Sequence, residues 1–338
     1  MTRPPRLPRL GVAALLLASA AVAVLFHDLR RAGPPRPEPV VVTIDEHARF
    51  ATVAHDLRRQ GLLRHALPLL VWARLSGRDR LVHWGEYLIT TPLSALELLG
   101  RFTAPPDLLH PLTVPEGLTV RDVVGLLAAA GFGSEESFNC LLEDRRFLAS
   151  EDLPPEGAEG YLFPDTYTFP LATPQARILR GMIHRFREVT GVDFARRAAD
   201  LGLTEQQAVT LASLIESETG REQERRLVGA VFLNRLHIGM PLQSDPTVLY
   251  GRPGHDRTIT HADLHRPTPY NTYTIPGLPP TPIANPGRAA LEAVMAPDKT
   301  PYLYFVSRND GTHYFSRTVA EHNAAVVKFQ RGGKPLAP

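Results

Sequence analysis

The chain has 338 residues, a length that favours two or three domains, and 43% of them are hydrophobic, enough to bury a core. Charged residues make up 21% and the formal net charge is only +2, which argues against the clustered basic face of a nucleic-acid-binding protein. Cys140 is the sole cysteine, so no disulfide can form within the chain.

The N-terminal segment has the pattern of a membrane anchor. Arg3, Arg6 and Arg9 precede an uncharged run over residues 10–26, which as a helix would span about 25 Å, close to a bilayer core of roughly 30 Å. This charge pattern predicts a cytoplasmic basic tail (1–9), a single-pass anchor (10–26) in the inner, cytoplasmic membrane, and the remainder in the periplasm or outside. The alternative is a cleaved signal peptide, because residues 18–20 and 21–23 fit the small-x-small cleavage pattern.

A Pro-rich segment and a small module follow the anchor. Residues 33–39, "GPPRPEP", predict a stiff linker that holds the first folded unit off the membrane. Residues 40–104 predict a strand (40–44), a helix ending at Gly61, a helix at about 66–75, a strand (85–90) and a third helix. In an exported protein, a strand-helix-helix-strand module of this size suggests glycan binding.

The strand-helix pattern recurs once. Residues 43–61 and 113–131 have equal length and share Thr, Glu, Val, Leu and Gly at matching positions. Both predict a strand, an acidic loop, a helix and a C-capping glycine, and the second lies in a further strand-helix segment over residues 105–152. Two interpretations stay open: a duplicated module, or the ordinary likeness of one strand-helix unit to another.

Two glutamates lie two residues apart in the helix predicted for "LASLIESETG". A capping box of Thr204 and Gln207 begins this helix. Its buried stripe is Ala208, Leu211, Ala212 and Ile215. At about 100° per residue, Glu216 and Glu218 lie about 200° apart, on opposite borders of the stripe. One can therefore line a groove while the other is solvated or paired, and helical geometry does not choose between them.

The segment after this helix has the composition of a sugar-binding surface. A second helix ends near Gly239, Asp245–Pro246 resembles an N-cap pair, and residues 267–287 form a long stretch without regular periodicity. That stretch places aromatic rings beside amide side chains, which supply the apolar platform and the hydroxyl partners that a sugar polymer needs. Residues 302–316 then predict a β-hairpin around "RNDG".

Several motifs resemble, in chain order, those of the endolytic murein transglycosylase family (MltG, or YceG-like). The matching segments, between about residues 159 and 306, are EGYLFPDTY, LASLIESETG, VFLNRL, GMPLQSDPTVLYG, YNTYTIPGLPPTPIANPG and YLYFV. The anchor and the 40–104 module fit the family by layout more than by motif. One departure is minor: Ser217 stands where family members often have lysine.

The resemblance implies an α+β fold with an N-terminal membrane helix, a small LysM-like α/β module (40–104) and a mixed α+β, lysozyme-like catalytic domain with long loops (153–330). It implies cleavage of the β-1,4 bond between N-acetylmuramic acid and N-acetylglucosamine in nascent glycan strands, leaving 1,6-anhydro ends. The resemblance also implies that the first glutamate of the IE-x-E-T stretch is catalytic. Glu216 occupies that position in this chain. A partly apolar groove wall would keep that carboxyl protonated, so that it serves first as acid and then as base.

The remaining expectations concern substrate, metal and partners. The candidates for holding the substrate are Gln243, Asp245, Asn271 and Tyr273, with a purely structural role in the loops as the alternative. Glu159 and Asp165 are expected to stabilise loops. No metal or cofactor is expected, because His261 and His265 have helical spacing without an HExxH motif. The expected partners are peptidoglycan strands and the cytoplasmic membrane, and the family suggests peptidoglycan synthases.

Two other functions stay open. One is a lysozyme-like muramidase, in which Asp245 supplies the second carboxylate and water opens the bond. The other is a non-catalytic, membrane-tethered scaffold that binds glycan.

Overall fold

The computed structural model describes residues 9–35, 37–252, 259–330 and 332, and within them the fold is mixed α+β. The helices are α1 (Arg9–Arg30), α2 (Phe50–Arg59), α3 (Ala66–Ser76), α4 (Ala95–Phe102), α5 (Val120–Ala129), α6 (Glu135–Glu143), α7 (Arg145–Ser150), α8 (Gln175–Thr190), α9 (Phe194–Asp200), α10 (Glu205–Glu218), α11 (Glu222–His237), α12 (Pro246–Leu249), α13 (His261–Leu264), α14 (Arg288–Met295) and α15 (Val319–Gln330). The strands are β1 (Val40–Ile44), β2 (Gly85–Ile89), β3 (His110–Thr113), β4 (Thr166–Phe169), β5 (Tyr304–Ser307) and β6 (His313–Ser316). They pair two by two, as β1–β2, β3–β4 and β5–β6.

The chain divides into two compact units. The first comprises Met1–Pro111 and Thr168–Pro174, and the second comprises Leu112–Tyr167 and Gln175–Pro338. This division differs from the predicted boundaries at 104 and 152, because the second strand-helix segment shares a unit with the predicted catalytic domain. Helix α6 of that segment packs on α8, which lies beyond the predicted boundary.

The first unit has the predicted strand-helix-helix-strand order. β1 pairs antiparallel with β2, and Val42 lies opposite Tyr87 in the register. α2 and α3 lie between these strands in the chain and pack on each other. The predicted C-capping glycine is present in both stretches of the repeat. Gly61 follows α2 with φ 70°, and Gly131 follows α5 with φ 86°, both in the left-handed region.

The N-terminal helix is longer than the predicted anchor. Its residues 12–30 have a mean hydropathy of 2.1 and are long and apolar enough to cross a membrane. Leu29 is fully buried in the core of the first unit, and the Phe26 ring lies 5.2 Å from that of Trp72. The apolar face of the helix thus continues beyond residue 26 and packs on the module. Residues 1–8 of the predicted basic tail lie outside the described residues.

Helix α10 is the centre of the second unit. Its predicted capping box is present, with Thr204 Oγ1 accepting the Gln207 N–H. Residues 208–215 are all buried, because α9, α11, α12 and α14 pack around the helix. The antiparallel hairpin of β5 and β6 also forms as predicted. Both ends of α10 are partly open, the first turn at residues 205–207 and the C-terminal end where the two glutamates lie.

Candidate active site

The two glutamates at the end of α10 face different surroundings, as the helical spacing predicts. Glu216 accepts a hydrogen bond from Arg225 Nη2 at 2.7 Å and another from the Gly287 N–H at 3.0 Å. Glu218 instead accepts a hydrogen bond from the Ser244 hydroxyl at 2.5 Å. The two carboxyl groups therefore do not form an acid pair in one cleft.

Glu216 lies in a buried ion pair. Its side chain is 6% exposed and that of Arg225 is 10% exposed, while Arg225 Nη2 also lies 3.6 Å from Glu116 Oε2. Gly287 is the N-cap of α14, so the Glu216 carboxylate also stabilises the start of that helix. A side chain at Gly287 would collide with the Glu116 carboxylate. These contacts join α10 to α11, to α14 and to the loop before α5.

Glu218 lines a polar cavity of about 280 Å³. Burial raises the pKa of its carboxyl to about 7, and the nearby Asp245 charge acts in the same direction. The Ser244 hydroxyl, Arg235 and the Asp245 N–H oppose this shift. At neutral pH Glu218 is therefore present in both protonation states, which is the property that a group acting as acid and then as base requires.

Three of the four residues predicted to hold substrate line the same cavity: Gln243, Asp245 and Tyr273. The Tyr273 hydroxyl donates to Asp245 Oδ1 at 2.6 Å. Asp245 is the residue before α12, but its side chain makes no capping hydrogen bond. Gln243 has φ 50°, a left-handed conformation unusual for a residue with a side chain, and its N–H donates to the Thr272 carbonyl. The structure thus brings these three residues together with Glu218.

Asn271, the fourth predicted residue, lies outside the lining of this cavity. It is 1% exposed, and its Nδ2 donates to the carbonyl oxygens of Asp263, Leu264 and Arg266. Its Oδ1 accepts the Tyr273 N–H at 3.0 Å. Because both ends of the amide are engaged, Asn271 shapes the loop that presents Tyr273.

Glu159 and Asp165 each accept hydrogen bonds from groups in other segments of the chain. Glu159 accepts hydrogen bonds from the Val120 N–H and the Tyr250 hydroxyl, both at 2.9 Å. Asp165 accepts a hydrogen bond from Arg185 Nε at 2.7 Å.

Sequence reasoning missed several residues around Glu218. Arg235, 6% exposed, donates to the carbonyl oxygens of Leu242 and Leu303 and so holds one wall of the cavity. His313 also lines the cavity, and its Nδ1 lies 2.7 Å from Glu224 Oε2. Arg235 and Ser244 lie inside the motifs VFLNRL and GMPLQSDPTVLYG, so both had a nearby sequence signal, whereas His313 comes from the distant strand β6. Within the described residues, no group of three or more His, Cys, Asp and Glu side chains could hold a metal.

The sequence profile of the YceG-like family matches residues 42–328. The chain belongs to the YceG-like family. A protein of Bacillus subtilis named endolytic murein transglycosylase is similar to this YceG-like chain, with 34% identity over 64% of the chain and 64% of the relative. A Streptococcus pneumoniae protein of the same name is 28% identical over 86% of the chain and 58% of the relative. The chain thus spans about three fifths of the length of these curated relatives.

A solved structure supports the YceG-like fold. The crystal structure of a yceG-like protein of Listeria monocytogenes matches with a TM-score of 0.57 and 27% identity. The match covers 85% of this chain and 99% of the Listeria chain.

Glu218 makes the stability of this YceG-like chain depend on pH. Its pKa rises from 4.5 to about 7 on folding, so the folded state binds a proton that the unfolded state releases, and stability falls as pH rises between those values. Glu218→Gln removes this loss. The variant is expected to gain up to about 3 kcal/mol relative to wild type at pH 8, with no such gain at pH 4.

Unfolding of the full chain in detergent at pH 4, 6 and 8 measures this effect. Glu143→Gln, at an exposed position on α6, is the control and is expected to show no pH-dependent gain. A gain of equal size for Glu218→Gln at all three pH values would contradict the shifted pKa.

Proposed function

We propose that this chain is an endolytic murein transglycosylase. It cleaves the β-1,4 bond between N-acetylmuramic acid and N-acetylglucosamine inside nascent peptidoglycan strands, leaves 1,6-anhydro ends and so terminates strand elongation. The observation that carries this proposal is the buried Glu218 carboxyl, with a pKa of about 7, in a cavity beside Gln243, Asp245 and Tyr273. The names of the curated relatives support the same activity.

Glu218, rather than Glu216, is the acid and base in this proposal. The protonated carboxyl donates its proton to the glycosidic oxygen as the bond to the muramyl C1 breaks. The resulting carboxylate then takes the proton of the C6 hydroxyl, whose oxygen bonds to C1, so no water is consumed and the carboxyl is regenerated. The assignment of Glu216 by family resemblance stays a prediction, but its contacts with Arg225 and the Gly287 N–H support a structural role.

The neighbours of Glu218 fit supporting roles in this reaction. The Ser244 hydroxyl donates to Oε1 and orients the carboxyl group. Gln243, Asp245 and Tyr273 offer amide, carboxylate and phenol groups to sugar hydroxyls, and the hydrogen bond from Tyr273 to Asp245 fixes both side chains. A lone acid serves both proton transfers, so a second nucleophilic carboxylate is not required, unlike in a retaining hydrolase.

The rest of the chain fits a membrane-tethered enzyme. We propose that α1 is a single-pass anchor in the cytoplasmic membrane with the N-terminus inside, which places the residues that follow α1 on the outer side. We propose that residues 40–104 form a LysM-like module that binds glycan, and that the second unit is a lysozyme-like catalytic domain. Peptidoglycan synthases are the proposed protein partners.

Mass spectrometry of peptidoglycan digested by the purified full chain tests the activity. Products with 1,6-anhydromuramyl ends are expected, because C6 oxygen rather than water closes the reaction. Products with reducing ends would instead identify a muramidase in which Asp245 acts as the second carboxylate. Intact strands would identify a scaffold that binds glycan without cleaving it.

A further inference from the structure

A second, larger cavity adjoins the one that contains Glu218. Its volume is about 630 Å³, against about 280 Å³ for the Glu218 cavity. Asp245 lines both cavities, so they meet at this residue. Ser217, which lies between the two glutamates on α10, also lines the larger cavity. The larger cavity therefore begins beside the proposed acid.

The walls of the larger cavity combine apolar and polar surface. Leu118, Leu249 and Ile283 supply the apolar part. Glu159 accepts the Tyr250 hydroxyl at 2.9 Å, and the Tyr250 ring lies 4.7 Å from the Tyr270 ring, so Tyr250 is a fixed aromatic wall. A rigid aromatic face beside hydrogen-bonding groups is suited to a sugar ring, which has an apolar face and a rim of hydroxyls.

The charged residues of this cavity are largely engaged by other protein groups. Asp122 accepts hydrogen bonds from the hydroxyl and the N–H of Thr119 in the capping box of α5. Arg252 pairs with Asp263 at 2.6 Å. The cavity consequently favours a neutral, hydroxyl-rich ligand over a phosphate or another strongly charged group.

We infer that the larger cavity binds sugar units of the glycan strand on one side of the scissile bond, so that the strand runs past Asp245 through both cavities. This inference rests on the proposed function. The Glu218 cavity falls just below the roughly 300–1,000 Å³ of a typical ligand site, so it holds only the sugars next to the bond. A cut inside a strand leaves sugars on both sides of the bond, and the larger cavity accommodates those on one side.

Two substitutions that fill the cavity test the inference. Ser217→Trp and Arg121→Trp each place an indole in the lining from an exposed position, so the full chain should still fold, which thermal unfolding checks. Gln223→Trp, exposed on α11 and outside the lining, is the matched control. With peptide-free glycan strands, both cavity variants are expected to lower kcat/KM on long strands at least about tenfold, whereas the control is unchanged.

The dependence of kcat/KM on strand length is a second measurement, and general damage to the fold would not change it. Wild-type kcat/KM is expected to rise as peptide-free oligomers lengthen, because added sugars occupy the larger cavity, and this rise should flatten in both cavity variants. Folded Ser217→Trp and Arg121→Trp proteins that cut long strands at the wild-type rate, with the wild-type dependence on length, would overturn the inference.

Binding without cleavage separates this inference from the proposed function. Calorimetric titration of full-chain Glu218→Gln with N-acetylglucosamine oligomers should give a Kd at least about tenfold lower than that of the Ser217→Trp/Glu218→Gln double variant. If wild type cleaves nothing but the double variant binds more weakly, the activity proposal fails and the sugar site stands. Equal binding of these oligomers by the two proteins overturns the sugar site.

Discussion

Glu218→Gln is expected to lower the rate of strand cleavage by about a thousandfold, which is within the range for loss of a general acid-base group. Glutamine has nearly the same shape and can still accept the Ser244 hydrogen bond, but it has no proton to donate to the glycosidic oxygen. The rate of anhydro-end formation by the purified full chain measures the effect. Circular dichroism and thermal unfolding show whether the variant keeps its fold.

Glu216→Gln is the matched control, since the same substitution is made two residues away on the same helix. It is expected to keep the cleavage rate within about tenfold of wild type under conditions in which it remains folded. If instead Glu216→Gln is inactive while Glu218→Gln cleaves normally, the acid is Glu216, as the family resemblance predicts.

Arg225→Met is expected to destabilise the second unit by about 3–5 kcal/mol, the usual cost of removing one partner from a buried ion pair. The substitution leaves Glu216, 6% exposed, without its guanidinium partner and close to the charge of Glu116. Glu216→Gln should cost less, because Arg225 keeps Glu116 at 3.6 Å as an alternative partner. Denaturant unfolding of both variants at pH 7 measures the two values.

The double variant Glu216→Gln/Arg225→Met completes a thermodynamic cycle for this pair. A coupling energy of at least about 1 kcal/mol is expected, because the two side chains are in direct contact. Additive effects, or an Arg225→Met protein as stable as wild type, would contradict the structural role assigned to Glu216.

Local sequence signals predicted much of the fold. A β-branched run marked β1, and Thr204 with Gln207 marked the start of α10. The 100° step of a helix predicted that Glu216 and Glu218 would diverge, and their different partners confirm it. The motifs that carried the resemblance lie inside the residues matched by the YceG-like family.

These local signals could not predict contacts between distant segments of the chain. Leu29 packs into the core of the first unit, although the charge pattern predicted that the anchor ends at residue 26. Asn271 has the residue type of a sugar ligand, but the carbonyls of residues 263, 264 and 266 occupy its amide.

The sequence alone determined that a helix would end in two carboxylates on opposite borders of a buried stripe, because that depends only on helical periodicity. Only the tertiary structure decided which carboxylate is an ion-pair partner and which lines a cavity with a pKa of about 7. The physical reason is that a carboxyl's charge state depends on its desolvation and on the donors that face it. Here those donors, Arg225, Gly287 and Ser244, come from three other segments of the chain.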